Sequence, residues 1–208
     1  MGAATLAGSP AARAVMAEAE AALNGRPGAM AAVLGLPEAD EGRVIAAGEA
    51  HGILVLANRN SPGQIVLSGE VAAIDAAINA AATAGAKRAV RLQVSIASHS
   101  PLMREAADGM REALAAATVR DPRVMMLANA DASPITTATE LRTELANHLT
   151  SGVDWIAAVT AMSAGGTTRF IEVGAGRVLS GLVKRIPAAS TAEVLNIDEL
   201  YAATAAGA

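Results

Sequence analysis

Between residues 28 and 94 short apolar runs and helix-forming stretches follow one another in a single order: strand, helix, strand, strand, helix, strand. Ala29-Met30-Ala31-Ala32-Val33-Leu34 is a short strand closed by Gly35, and residues 38–50 read as a helix. Residues 53–57 read as extended, 58–63 as a polar turn, and Gln64-Ile65-Val66-Leu67-Ser68 as the next strand. A helix over 70–82 follows, where Val71, Ile74 and Ile78 recur at spacings of three and four and form one apolar stripe. Ala86 to Val94 alternates as a strand does. This is the split βαβ order, which predicts a ferredoxin-like small domain over 28–94: a four-stranded sheet with both helices on one face.

Beyond residue 94 the pattern changes. Helices are expected over 101–116, 137–149, 153–163 and 177–186, with strands only at 124–128 and 169–173. Short apolar strands between long helices indicate α/β architecture with a parallel sheet buried on both faces. Two strands are too few for that much helix, so residues 95–208 are expected to form an incomplete large domain: either partner strands arrive from another chain, or part of the domain is missing. Residues 1–27 form a separate N-terminal segment, helical over 10–24, where Ala-rich sequence stops at Asn24-Gly25 and Pro27.

Composition excludes several functions. Phe170, Trp155 and Tyr201 are the only aromatics and the formal charge is −4. Base-stacking platforms and a basic phosphate-binding surface are therefore missing, and no nucleic-acid partner is expected. The hydrophobic fraction is 52%, much of it Ala, but no run approaches the ~18 apolar residues of a membrane span. Neither a membrane partner nor a signal peptide is expected. Gly2 is followed by Leu6 where a myristoylation signal wants Ser or Thr. The chain has no cysteine, which removes thiolate catalysis and Cys-ligated metals and fits a cytoplasmic location. The three histidines, His51, His99 and His148, are far apart in sequence, and no metal site is read from them.

His99 lies in Ser95-Ile96-Ala97-Ser98-His99-Ser100-Pro101, between the last small-domain strand and a helix. Such a junction can present an imidazole to a cleft for general acid/base work. A partly exposed histidine with no chemistry fits the same sequence. His148, near a helix C-terminus, reads most simply as a surface or satisfied core residue. Gly174-Ala175-Gly176 could cradle an anion, but tight packing at a strand-to-helix turn explains both glycines with less.

Five segments, in order, carry a further signal. They are Gly28-Ala29-Met30-Ala31-Ala32-Val33-Leu34-Gly35-Leu36, Asn60-Ser61-Pro62-Gly63-Gln64-Ile65-Val66-Leu67-Ser68-Gly69, Gly85-Ala86-Lys87-Arg88-Ala89-Val90, Ala97-Ser98-His99-Ser100-Pro101-Leu102-Met103, and Phe170-Ile171-Glu172-Val173-Gly174-Ala175-Gly176-Arg177-Val178-Leu179-Ser180-Gly181-Leu182. At similar spacing they resemble the landmarks of the malonyl-CoA:acyl-carrier-protein transacylases of fatty-acid synthesis. The resemblance runs from about residue 28 to residue 186, the C-terminal two-thirds of that family only.

The resemblance implies an α/β-hydrolase-like large domain holding the ferredoxin-like small one, and malonyl carried as a serine ester between coenzyme A and acyl carrier protein, with no cofactor. It puts the catalytic histidine on His99. A residue whose main-chain carbonyl orients that histidine falls on His148, where the family has Gln, and Asn60 and Gln64 fall in a loop that shapes the substrate cleft. The family's Gly-x-Ser-x-Gly nucleophile elbow occurs nowhere in this sequence. Arg13 is the nearest candidate for the malonyl-binding arginine, but its surroundings lack the family's Arg-Gly pattern. Two expectations follow: malonyl transfer completed by an upstream transacylase segment, the isolated chain being inactive, or a non-catalytic fragment that binds acyl carrier protein or another transacylase subunit.

Overall fold

The first strand, β1 (Gly28–Leu34), sets the frame because both of its faces are covered. A computed structural model describes residues 28–94, 96–174 and 176–199, so the helix expected over 10–24 lies outside the described residues. Side chains along a strand alternate between faces. Ala29, Ala31 and Val33 accordingly join Ile65 and Leu67 of β3 (Gln64–Glu70) in one buried cluster, while Met30 and Val66 turn to the other side with Ala57 and Leu92. The first cluster is closed by α1 (Glu38–Glu49) and α2 (Val71–Thr83). On α2 the buried stripe is Ala73, Ile74, Ala77 and Ala81, and the larger Val71 and Ile78 lie at its margin. Small residues at the centre of the stripe let the helix approach the sheet closely.

With β2 (Leu54–Ser61) and β4 (Arg88–Arg91) the strands lie in the order β4-β1-β3-β2, each pair antiparallel. A fifth strand corrects the four-stranded expectation. β7 (Val153–Asp154) pairs parallel to β2 through Asn58↔Val153 and Arg59↔Asp154, making the sheet mixed. It could be added because β2 runs on through Asn58, Arg59 and Asn60, residues read from the sequence as a polar turn. Their polarity marks a strand near the sheet margin, with register shifts after Leu56 and after Arg59. The turn itself is only Pro62-Gly63.

The remainder is α/β, but its strands are shorter and paired differently from the expectation. After α3 (Arg104–Ala116), the strand expected at 124–128 shrinks to β5 (Met126–Leu127), which pairs with β6 (Pro134–Ile135). Val124 and Met125, its expected interior residues, are 74% and 69% exposed. Next come α4 (Ala138–Asn147), β7, α5 (Trp155–Ala164), β8 (Arg169–Glu172), α6 (Val178–Val183) and β9 (Glu193–Asn196). β8 pairs parallel with β9, not with β5. Val159, Val183, Ile186 and Ala189 form a second core that packs against Trp155 and Phe170. No helix among the described residues is long and apolar enough to cross a membrane.

The two parts are joined by an ionic node at β7. The Arg59 guanidinium lies 3.0 Å from Glu41 on α1 and 3.9 Å from Asp154. Asp154 also caps α5 by accepting the Ala157 N–H at 2.8 Å. Burial pushes the Glu41 carboxyl up from its ordinary range, and Arg59 opposes the shift. Removing the cation would leave a buried carboxyl unpaired, which costs more than the pair itself contributes. Arg59→Ala should therefore lower unfolding free energy by about 2 kcal/mol in urea melts, and Arg59→Ala combined with Glu41→Gln should recover part of that loss.

Candidate active site

His99 stands where the chain leaves the small sheet, and its backbone is in the left-handed region at φ 61. A non-glycine residue there costs about 1–2 kcal/mol, so the surrounding structure must hold it. Two features do. A Cβ added to Gly28 at the start of β1 would meet Ala97 Cβ at 2.7 Å and Ala97 N at 2.8 Å, so only glycine lets the segment before His99 lie this close. On the other side, the fully buried Ser100 hydroxyl donates to Ala97 O at 2.7 Å and accepts from Leu102 N–H at 3.3 Å, capping a 3-10 turn at Pro101–Met103.

The imidazole is held by the end of α4. That helix starts in a capping box between Thr137 and Glu140 and ends with His148 as its C-cap. The last carbonyls of a helix have no intrahelical partner and carry the negative end of its dipole. His148 O lies 3.0 Å from His99 Nδ1, and Ser151 O, just past the helix, is also at 3.0 Å. Carbonyls only accept, so in the neutral imidazole Nδ1 carries the hydrogen. The Nε2 lone pair is left free to take a proton.

The two histidine rings stand nearly perpendicular, at 88°, with centroids 5.1 Å apart. Asn129 Nδ2 reaches His148 Nδ1 at 3.2 Å and also donates to Glu144 Oε1 at 2.7 Å. Burial, and then the nearby His99, push the His148 imidazole below its ordinary range, while Glu144 pulls the other way. A cavity of about 490 Å³ opens beside this cluster, lined by Asn129, Asp131, Thr139, Glu144, His148 and Ser151 among others.

Of the residues singled out in the sequence, His99 and His148 meet; Asn60 and Gln64 lie elsewhere. Asn60 is half-buried in β2, and Gln64 opens β3 with its Oε1 accepting from Arg185 at 3.0 Å. Neither lines the cavity beside His148. The packing explanation for Gly174 and Gly176 is corrected, because a Cβ at either would meet nothing within 4 Å. Gly176 instead has φ 84, a turn conformation. Amides at the start of α6 are occupied by the Glu172 carboxylate, which accepts from Leu179 and Ser180 at 2.9 Å. Sequence reasoning missed Ser151, which acts through its main chain and leaves no side-chain signal. It also missed Asn129 and Glu144, although Glu144 and His148 are four apart on one helix face.

The sequence model of the acyl transferase domain family matches residues 2–196. The malonyl CoA-acyl carrier protein transacylase of Escherichia coli O157:H7 is 40% identical over 176 residues, covering 85% of this chain and 57% of that protein. The solved malonyl-CoA:acyl carrier protein transacylase of Xanthomonas oryzae pv. oryzae superposes with a TM-score of 0.86 at 37% identity, covering 94% of this chain and 63% of that one. A type II PKS acyl-carrier protein in complex with its malonyl-transacylase gives 0.79 at 31% identity, over 89% and 61%. The chain thus spans a little over half the length of the curated relative.

These findings correct three expectations. The resemblance is not confined to the family's C-terminal two-thirds from about residue 28, since the family match begins at residue 2 and includes the segment set apart as 1–27. The fold expectation changes with it: matched from residue 2 to 196, the chain carries a small mixed-sheet subdomain and an α/β subdomain of the family fold, in place of a ferredoxin-like domain beside an incomplete large one. The expected inactivity of the isolated chain rested on the missing Gly-x-Ser-x-Gly elbow; against a family match over residues 2–196 that expectation is withdrawn.

Two stability measurements check the local geometry. His99→Gly relieves the left-handed backbone while losing one hydrogen bond, so its unfolding free energy should stay within about 1 kcal/mol of wild type. His99→Val should cost about 2 kcal/mol or more in the same denaturant melts. Because the folded state lowers the His148 value below 6.5, its contribution to stability is full above that pH. It is lost as pH falls through 6.5 toward the folded value. His148→Gln should remove this slope from stability measured against pH.

Proposed function

The chain belongs to the acyl transferase domain family, and on that premise we propose that it acts as an [acyl-carrier-protein] S-malonyltransferase, moving malonyl from coenzyme A to acyl carrier protein. The observation that carries this reading is the hold on His99: Nδ1 is committed to two main-chain carbonyls at 3.0 Å, which fixes the tautomer a general base needs. The relatives named as malonyl transacylases, one of them bound to an acyl-carrier protein, support the substrate and the partner.

In the first half of the reaction the serine hydroxyl that the family resemblance implies, for which this sequence holds no Gly-x-Ser-x-Gly elbow, attacks the malonyl thioester carbon. Its proton passes to His99 Nε2 as the new C–O bond forms. When the tetrahedral intermediate collapses, the C–S bond breaks and Nε2–H returns the proton to the leaving coenzyme A sulfur. The second half runs the same steps with the phosphopantetheine thiol of acyl carrier protein, which gives its proton to Nε2 and takes malonyl from the ester. The same imidazole is base and then acid in each half. Cationic His99 is stabilised by the α4 carbonyls, which keep the Nδ1–H bonded throughout.

Ser100 is not the acylated hydroxyl. It is fully buried, and its oxygen is committed to Ala97 O and Leu102 N–H. Asn60 and Gln64, which the resemblance put at the substrate cleft, do not line the cavity beside His148, and Gln64 is engaged by Arg185.

The test is transfer from malonyl-CoA to acyl carrier protein by the protein in the polypeptide in which it occurs, with the ester intermediate read by intact mass. His99→Asn, which tolerates the left-handed backbone, should lower kcat by about 10²- to 10⁴-fold. Unchanged transfer in a folded His99→Asn protein would rule the reading out.

A further inference from the structure

His148 would serve His99 through its main chain with any side chain, yet its imidazole sits in a polar network that fixes its protonation state. Glu144 Oε1 accepts the Asn129 main-chain N–H at 2.9 Å and the Asn129 Nδ2–H at 2.7 Å. A carboxylate only accepts, so the Asn129 amide must present its NH₂ end. That group has two hydrogens; one goes to Glu144, and the other points at His148 Nδ1, 3.2 Å away. His148 Nδ1 is therefore an acceptor and bears no proton. Asn129 is itself anchored, because its carbonyl accepts the Asp154 N–H at 2.7 Å beside the Arg59 node.

We propose that Asn129 and Glu144 are positioning residues that lock His148 as a neutral imidazole protonated on Nε2, so that the only exchangeable positive charge at this site is the one His99 carries during acyl transfer. The kinetic part rests on the malonyltransferase reading; the state of His148 does not. With ring centroids 5.1 Å apart, a cation on His148 would oppose the imidazolium that His99 must form, weakening it as a base. Adding a proton at Nδ1 would also set it against the Asn129 N–H and break that hydrogen bond. Burial of His148 acts in the same direction.

The other charged groups around His148 are already engaged. On its own helix Glu144 is bound by Asn129, and Glu140 accepts Thr136 and Thr137 N–H. From the β5–β6 turn, Asp131 accepts the Ser133 N–H and hydroxyl. From β7, Asp154 is taken by Ala157 N–H and Arg59. From the turn after β4 comes His99 itself, whose Nδ1–H is held by the carbonyls of His148 and Ser151.

Histidine-selective ¹⁵N NMR of the protein reads the state of His148 without any substrate. The expected spectrum shows Nε2 protonated, Nδ1 bare, and titration below the ordinary imidazole range. A protonated Nδ1 in the neutral form, or titration in the ordinary range, would overturn the proposal. The kinetic arm uses Asn129→Asp, which offers His148 Nδ1 an acceptor and favours the imidazolium. At neutral pH it should lower kcat by roughly tenfold or more with little change in KM, and move the acidic limb of the pH–rate profile upward. Adding His148→Gln removes the titratable ring, so Asn129→Asp/His148→Gln should recover most of that loss and return the acidic limb. A double variant no better than Asn129→Asp would mean that residue 129 acts only structurally, contradicting the proposal. The expected spectrum in a protein that transfers no malonyl would remove the transferase reading while upholding the state of His148.

Discussion

Much of the structure converges on one bifurcated hydrogen bond, from His99 Nδ1 to the carbonyls of His148 and Ser151. Its donor comes from the end of the small sheet and its acceptors from the end of α4, 49 and 52 residues away. Every constraint on either side bears on it: Gly28 admits Ala97, Ser100 caps the turn, and the capping box starts α4 in the register that ends at His148. A left-handed histidine is worth its strain of about 1–2 kcal/mol only if its ring must point one way.

The two halves of that bond are kept in place by β7. Pairing with β2 attaches the α4–α5 connection to the edge of the small sheet, and Arg59 ties the same point to α1. Asp154 serves three partners there: it pairs with Arg59, caps α5, and donates its main-chain N–H to Asn129. The polar network around His148 is thereby continuous with the node that joins the subdomains.

The small domain was legible because its signals are local. Short apolar runs in β1 and β3, and helical spacing in α2, are properties of short windows, and the order strand, helix, strand, strand, helix, strand read from them is the one found over residues 28–91. The misreadings came where tertiary context overrides a window. Asn58-Arg59-Asn60 looks like a turn until β7 pairs with it, and Val124-Met125 looks like a buried strand although both are exposed. β6 and β7 are two residues each, too short to have any periodicity. From its own segment His99 read equally as an uninvolved histidine, and its meeting with the His148 carbonyl was expected from resemblance alone. Ser151 was beyond reach, since its part is played by a carbonyl that every residue has. The extent of the family match was also underestimated, because the motifs that stand out begin at residue 28 and the match begins at residue 2.

If one imidazole takes and returns the proton in both half-reactions, its loss must be felt equally in each. Single-turnover rates separate them: acylation by malonyl-CoA, followed by coenzyme A release, and deacylation of the isolated malonyl-enzyme by acyl carrier protein. Between wild type and His99→Asn both rates should fall by similar factors, on the order of 10²–10⁴. A variant that slows one half-reaction and leaves the other at the wild-type rate would contradict it.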